Sequence, residues 1–123
     1  MSKPIYFFDT YAIIEILKRN KDYEKFKDSQ AIISTFNLAE LHLHITRIFG
    51  AEVTRNSLEE FSNCVAGFEI EDFIEATNFK LKDIKKNFSI PDSIGYAMSK
   101  RLGLKFLTGD KNFQDLGNVE FVK

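Results

Sequence analysis

Short apolar runs alternate with longer amphipathic stretches along the chain, and this pattern predicts strands separated by helices. In the stretch 36–49, Leu38, Leu41 and Ile45 recur every three to four residues, as on the buried face of a helix. Short apolar runs such as 5–8 are typical of buried strands. The predicted strands are residues 5–8, 31–34, 68–70, 104–107 and 119–122. The predicted helices are residues 11–19, 22–27, 36–49, 52–65, 72–86 and 91–102.

This alternation predicts the α/β fold class. Strands that are joined by helical crossovers pair in parallel, and the helices then cover both faces of the sheet. We therefore expect a central parallel sheet of about five strands in a three-layer α/β/α arrangement. The chain has 123 residues and no internal repeat or linker, which predicts a single domain over residues 1–123.

Four acidic residues occupy positions that this fold would bring to one edge of the sheet. Asp9 follows the first strand and Asp110 follows the fourth. Asp92 opens the helix that leads into the fourth strand, and Glu40 lies about one turn into the helix after the second. Because parallel strands end at a common edge, where α/β proteins bind ligands, we expect the four carboxylates to share one cleft.

Each acid also has a purely structural interpretation. Asp9 and Asp110 are both suited to cap helices, Asp92 to interact with a helix dipole, and Glu40 to lie in solvent. As a set they indicate more, since two carboxylates about 5 Å apart repel by roughly 3 kcal/mol at an effective dielectric of about 20. Such a cluster raises its own pKa values or binds a cation, and its oxygen ligands suit Mg²⁺ or Mn²⁺.

The charge balance excludes nucleic-acid binding through bulk positive charge. Seventeen basic and eighteen acidic residues give a net charge of −1, so any such contact must use local patches or metal ions. Each candidate patch can be interpreted as a nucleic-acid contact or as a solvated helix end, and both interpretations stay open. They are Lys18, Arg19 and Lys21, then Lys82, Lys85 and Lys86, and finally Lys100, Arg101 and Lys105.

Cysteine content and hydropathy indicate the cellular compartment of the protein. Cys64 is the single cysteine, which rules out an internal disulfide and is typical of a reducing compartment such as the cytoplasm. No apolar run approaches the roughly 18–20 residues of a membrane helix. Asp9 and Glu15 interrupt the apolar N-terminal stretch, so we expect neither a signal peptide nor membrane insertion.

The pair His42 and His44 raises the possibility of zinc binding, but no cysteine cluster accompanies it. His42 falls on the predicted apolar stripe and is interpreted as a core histidine. His44 follows Glu40 by four residues, a spacing that suits a side-chain pair on one helix face.

Three blocks of sequence resemble the signature blocks of PIN domains. They are YFFDTYAIIEIL at 6–17, ISTFNLAEL at 33–41 and IPDSIGYAMSKRLGLKFLTGDKNF at 90–113. The small ribonuclease toxins of the VapC type are the closest members in size. No single block is specific, but their order is, and together they span nearly the whole chain.

The resemblance implies that Asp9, Glu40, Asp92 and Asp110 form an acidic site for Mg²⁺ or Mn²⁺. It also implies a supporting role for Thr108, whose hydroxyl would help to order the site. Asn112 departs from the pattern, because family members often carry a further acid there. This departure weakens the expectation of a firmly held second metal, and an amide can instead hold a water or a phosphate oxygen.

The function that the resemblance implies is metal-dependent endoribonuclease activity on single-stranded or looped RNA, leaving a 5′-phosphate and a 3′-hydroxyl. A homodimer and a small antitoxin protein are the partners that it implies. Two alternatives stay open. The domain could be a non-catalytic RNA-binding or complex-assembly module. It could also be a haloacid-dehalogenase-like phosphatase, although Tyr11 stands where that family needs a second carboxylate after Asp9.

Overall fold

A parallel four-stranded sheet forms the centre of the computed structural model, which describes residues 3–123. The strands are β1 (Ile5–Phe8), β2 (Gln30–Ile32), β3 (Phe106–Thr108) and β4 (Val119–Phe121). Their order is β2-β1-β3-β4, and every neighbouring pair is parallel. The chain moves outward from β1 to β2 on one side and from β3 to β4 on the other. The carboxyl ends of β1 and β3 therefore flank the topological switch point, where open α/β sheets bind their ligands.

Five α-helices surround this sheet, and short 3₁₀ turns join several of the elements. The helices are α1 (Thr10–Leu17), α2 (Thr35–Phe49), α3 (Ala51–Ser62), α4 (Ile70–Lys82) and α5 (Ile90–Arg101). The 3₁₀ turns are Lys21–Phe26, Ile84–Lys86 and Lys111–Phe113. Ser34 and Ser89 cap α2 and α5, since each hydroxyl accepts a hydrogen bond from a backbone N–H in the first turn.

The alternating direction of strand side chains builds one hydrophobic core on each face of the sheet. Phe7 and Phe106 point to one face and stack with ring centroids 6.1 Å apart. Their neighbours Phe8 and Leu107 point to the other face and pack with side chains of α1 and α2. The predicted fold class, with helices on both faces of a parallel sheet, is confirmed.

The predicted strand at 68–70 is wrong, and the sheet has four strands instead of about five. Ile70 already begins α4, because Glu69 and Asp72 form a reciprocal capping box with each other's backbone. The only strand-like contact of this region is an isolated parallel bridge between Ile33 and Val65. Within residues 3–123, no helix has the length and apolar character needed to cross a membrane.

One partly buried ion pair joins the start of α4 to the end of α5. Arg101 Nε and Nη2 donate to the two carboxylate oxygens of Asp72 at 2.9 and 3.0 Å, and Nη2 also donates to the Gly67 carbonyl. Asp72 is 2% exposed, whereas Arg101 is 27% exposed. Burial raises the pKa of Asp72, but the hydrogen bonds from Arg101 and from the Glu69 backbone outweigh burial, so the net shift is downward.

We expect Arg101→Ala to lower the free energy of unfolding by about 2 kcal/mol, because it leaves a buried carboxylate without its partner. Urea denaturation measures this change. Arg55→Ala is the matched control, since Arg55 pairs with Glu59 on an exposed helix surface and should change stability by less than about 0.5 kcal/mol. Equal effects of the two substitutions would contradict the role of the Asp72 pair.

Candidate active site

Asp9 lies at the switch point, directly after β1. It occupies the N-cap position of α1, yet its side chain makes no capping hydrogen bond. Its Oδ2 instead accepts a hydrogen bond of 2.6 Å from the Thr108 hydroxyl at the end of β3. The side chain is therefore held across the sheet edge, and capping does not explain its position.

Asp110 enters the same region from β3. Thr108 Oγ1 accepts a 3.0 Å hydrogen bond from the Asp110 backbone N–H, so one hydroxyl connects Asp9 with Asp110. The Asp110 side chain also caps the following 3₁₀ turn by accepting from the Asn112 backbone N–H at 2.9 Å. Asp110 thus combines the structural role foreseen for it with a position at the cleft.

Asp92 lies in the first turn of α5, and Glu40 lies in the second turn of α2. The Asp92 side chain contacts Asp9, and its backbone N–H donates to Ser89 Oγ at 3.1 Å. Glu40 is half-buried and lies beside the Thr10 hydroxyl. The N-terminal parts of α2, which follows β2, and of α5, which leads into β3, thus bring both acids to the sheet edge.

All four acids line one open cleft of about 230 Å³. The convergence that the sequence predicts is therefore present in the structure. Four further residues also line the cleft, namely Thr10, Tyr11, Ile14 and His44.

Burial dominates the electrostatics of the cleft. It raises the pKa of Asp9 well above the usual value, and the neighbouring charges of Asp92 and Glu40 raise it further, against the hydrogen bond from Thr108. Burial likewise raises the pKa of Asp92 and of Glu40. Asp9 Oδ1 is buried and has no hydrogen-bond partner among residues 3–123. An ionised Asp9 therefore needs a cation to compensate a charge that the protein leaves unpaired.

The arrangement fits a divalent ion that is held by few protein ligands. Among residues 3–123, no group of three or more His, Cys, Asp or Glu side chains is arranged to hold a metal ion. Mg²⁺ commonly binds through only one or two carboxylates and completes its octahedron with waters and substrate phosphates. The contact pair of Asp9 and Asp92, with its unpaired buried oxygen, matches that kind of site.

Two sequence interpretations need correction. His42 is exposed and is not a core histidine, because Leu41 and Ile45 form the buried face of α2 and His42 lies about 100° away from Leu41. Asn112 does not line the cleft. Its side-chain amide donates to the Lys86 carbonyl at 3.1 Å, so Asn112 connects the loop after Asp110 to the 3₁₀ turn Ile84–Lys86.

A buried polar network behind the cleft went unrecognised in the sequence. Asn37 is fully buried, its Oδ1 accepts from Ser34 Oγ at 2.6 Å, and its Nδ2 donates to Thr10 Oγ1 at 3.3 Å. Thr10 in turn contacts Glu40. The signal was available, because Asn37, Leu41 and Ile45 are spaced four residues apart and a polar residue at a core position needs a partner.

Comparison with known proteins adds family information to this geometry. The sequence profile of the PIN domain family matches residues 6–119. No curated protein sequence matches the chain. Among solved structures, the Mycobacterium tuberculosis protein VapC20, described as a sarcin–ricin loop cleaving toxin, aligns with a TM-score of 0.77 at 17% identity, covering 97% of this chain and 99% of that one.

Two further structures of similar fold come from toxin–antitoxin systems. A toxin–antitoxin complex from Klebsiella pneumoniae aligns with a TM-score of 0.72 at 18% identity, covering 94% of this chain and 95% of that chain. VapBC-1 from nontypeable Haemophilus influenzae aligns with a TM-score of 0.71 at 19% identity, covering 95% and 96%. At these identities the structures show a shared fold, whereas the profile match extends over nearly the whole sequence. The chain therefore belongs to the PIN domain family.

Proposed function

We propose that this protein is an endoribonuclease that depends on Mg²⁺ or Mn²⁺. The observation that carries the proposal is the convergence of four acids on one cleft, with a buried Asp9 oxygen that has no hydrogen-bond partner in the part of the chain that the structure describes. Membership of the PIN family supports it. The activity would reside in a single domain formed by residues 1–123, acting in the cytoplasm.

Asp9 and Asp92 would hold the metal ion, with Asp110 and Glu40 completing the acidic wall. When bound, the ion would supply positive charge for the scissile phosphate and would lower the pKa of a water molecule. Thr108 would keep Asp9 and Asp110 in register through its two hydrogen bonds. Glu40, whose pKa burial raises, would orient the attacking water and accept its proton.

Single-stranded or looped RNA is the substrate class that we propose, since an unpaired backbone can bend into an open cleft. The description of VapC20 as a toxin that cleaves the sarcin–ricin loop supports a looped target. In-line attack would leave a 5′-phosphate and a 3′-hydroxyl. The toxin–antitoxin structures of similar fold support a small antitoxin as a partner, and we also propose a homodimer.

The competing functions differ in what they require of the cleft. A phosphatase of the haloacid dehalogenase type needs a second carboxylate where Tyr11 lines the cleft. A non-catalytic module would bind RNA without cleaving it, and it needs no second carboxylate at residue 11.

The proposal predicts that the purified protein cleaves a labelled RNA hairpin with Mn²⁺ and not with EDTA. Asp110→Asn should reduce the rate at least about tenfold, because it removes one charge from the metal environment. Asp115→Asn is the matched control, since Asp115 is exposed and does not line the cleft. RNA binding without cleavage in any metal would indicate the non-catalytic module, and equal rates for Asp110→Asn and wild type would refute the site.

A further inference from the structure

A basic groove lies between α4 and α5, on a surface separate from the acidic cleft. It consists of two adjoining depressions of about 240 and 380 Å³ that share Phe79, Lys82, Tyr96 and Lys100. Phe79, Phe88 and Tyr96 form its floor, and Lys82, Lys86 and Lys100 line it. We refer to these residues as the α4–α5 groove.

Two lysines of the groove, Lys82 and Lys100, are available to an external anion. Among residues 3–123, neither Lys82 nor Lys100 forms a salt bridge, and Lys100 Nζ lies 5.3 Å from the centre of the Tyr96 ring. Glu75 and Asp83 are the acids in the lining. The three lysines outnumber them, which makes the groove locally positive on a chain whose net charge is −1.

Hydrogen bonds connect the groove to the acidic cleft. Lys86 Nζ donates to the Asn112 carbonyl at 3.0 Å, and the Asn112 side chain donates back to the Lys86 carbonyl. The Asn112 backbone N–H donates to Asp110, which lines the acidic cleft. Helix α5 joins the two sites as well, since Asp92 lies in the cleft and Lys100 follows eight residues later, about 12 Å along the axis.

We propose that the α4–α5 groove binds the phosphate backbone of an RNA strand whose scissile bond lies in the acidic cleft. The inference rests on the proposed nuclease function and adds the surface along which the bound RNA strand continues beyond the cleft. An acidic metal site alone repels a polyanion, so adjacent lysines supply the attraction that the cleft lacks.

The chemistry of the groove further predicts how RNA is recognised there. Tyr96 and Phe88 are buried, and Phe88 packs against Phe79 with ring centroids 4.5 Å apart. The rings of Tyr96 and Phe88 are therefore too buried for a base to stack on them. Lysines that contact phosphates position a strand without reading its sequence, so binding in the groove should be independent of sequence and sensitive to salt.

The test compares the double variant Lys82→Gln/Lys100→Gln with the control Lys25→Gln/Lys27→Gln, which removes two exposed lysines at the end of the 3₁₀ turn Lys21–Phe26. Affinity for a single-stranded RNA of about twelve nucleotides is measured by fluorescence anisotropy with EDTA, so that no cleavage occurs. We expect the groove variant to bind about tenfold more weakly, and the slope of log affinity against log salt to fall by about 1.4, as for two lost phosphate contacts. The control should match wild type in both.

The outcomes of this test separate the groove proposal from the nuclease proposal. If wild type cleaves RNA with Mn²⁺ but both double variants bind and cleave equally well, the groove is not the RNA site and the nuclease proposal stands. If wild type binds RNA in the groove but cleaves nothing, the groove proposal stands and the nuclease proposal fails. Unchanged RNA affinity in the groove variant, together with lost affinity for polyglutamate, would assign the groove to an acidic protein partner and overturn the RNA proposal. Thermal unfolding of the groove variant should be unchanged, since Lys82 and Lys100 are exposed and form no salt bridge among the described residues.

Discussion

Asp9→Asn is expected to abolish RNA cleavage, with a rate loss of about a thousandfold or more, while making the metal-free protein more stable. The two effects share one cause. Asp9 is buried and Asp92 lies in contact with it, while one of the Asp9 carboxylate oxygens has no hydrogen-bond partner within the described range 3–123. Asparagine keeps the size of the side chain and removes the charge, so repulsion and the demand for a cation both disappear.

The stability effect depends on pH in a defined direction. Burial, followed by the charge of Asp92, raises the pKa of Asp9 above its ordinary value of 3.8. Below that value the folded and the unfolded chain both hold the proton. Between 3.8 and the raised pKa, the unfolded chain loses this proton while the folded chain keeps it. The free energy of unfolding of the metal-free wild type therefore falls as pH rises through this interval. Asp9→Asn has no such proton at residue 9 and should show a smaller fall.

Thermal unfolding in EDTA between about pH 4 and pH 8 checks this directly, and we expect the melting temperature of Asp9→Asn to exceed that of wild type by about 3 °C or more at the upper end. Added Mn²⁺ should stabilise wild type more at neutral than at acidic pH, because its ligands must be deprotonated. The variant should lose this response, and Asp115→Asn should keep it. A metal-free Asp9→Asn protein that is less stable than wild type would show that a protein partner already compensates the Asp9 charge.

The arrival of Asp9 and Asp110 at one edge of the sheet was predictable from connectivity. Once β1 and β3 are parallel, Asp9 and Asp110 must leave the sheet at the same edge, whatever the order of the strands. The strand order itself was not predictable, because no local pattern states that β3 pairs with β1. The hydrogen bond from Thr108 to Asp9 depends on that adjacency, so the resemblance to PIN domains suggested a role for Thr108 that only the fold explains.

The wrong predictions arose where the spacing of apolar residues was considered without the hydrogen bonds of the polar residues between them. The buried face of α2 comprises Asn37, Leu41 and Ile45, whereas the apolar residues Ile48 and Phe49 near its end are exposed. The helix predicted at 91–102 is confirmed as α5, although it is buried on all sides from Ser93 to Ser99 and has little amphipathic pattern. The false strand at 68–70 looked apolar, but hydrogen bonds between Glu69 and Asp72 begin a helix there.

Gly109→Ala is expected to damage both stability and activity, because the turn between Thr108 and Asp110 has no room for a side chain. A β-carbon at this position would lie 2.5 Å from the Val122 carbonyl oxygen and 2.7 Å from the Tyr23 hydroxyl, and it would also overlap the Tyr11 ring. The Val122 oxygen belongs to the backbone. The Tyr23 hydroxyl belongs to a fully buried side chain and donates a hydrogen bond to the Val122 carbonyl. Neither obstacle can move without shifting the end of the sheet.

We expect this substitution to lower the free energy of unfolding by about 3 kcal/mol, as overpacking against backbone does. The displaced turn should also move Asp110, and a shift of about 1 Å at a reacting centre lowers activity by about a hundredfold. Urea denaturation and the rate of RNA cleavage measure the two effects. Gly117→Ala is the matched control, since a β-carbon there meets no atom within 4 Å, and it should change stability by less than about 0.5 kcal/mol. If the two alanine variants behaved alike, the turn would have room for a side chain, and packing around Gly109 would not set the position of Asp110.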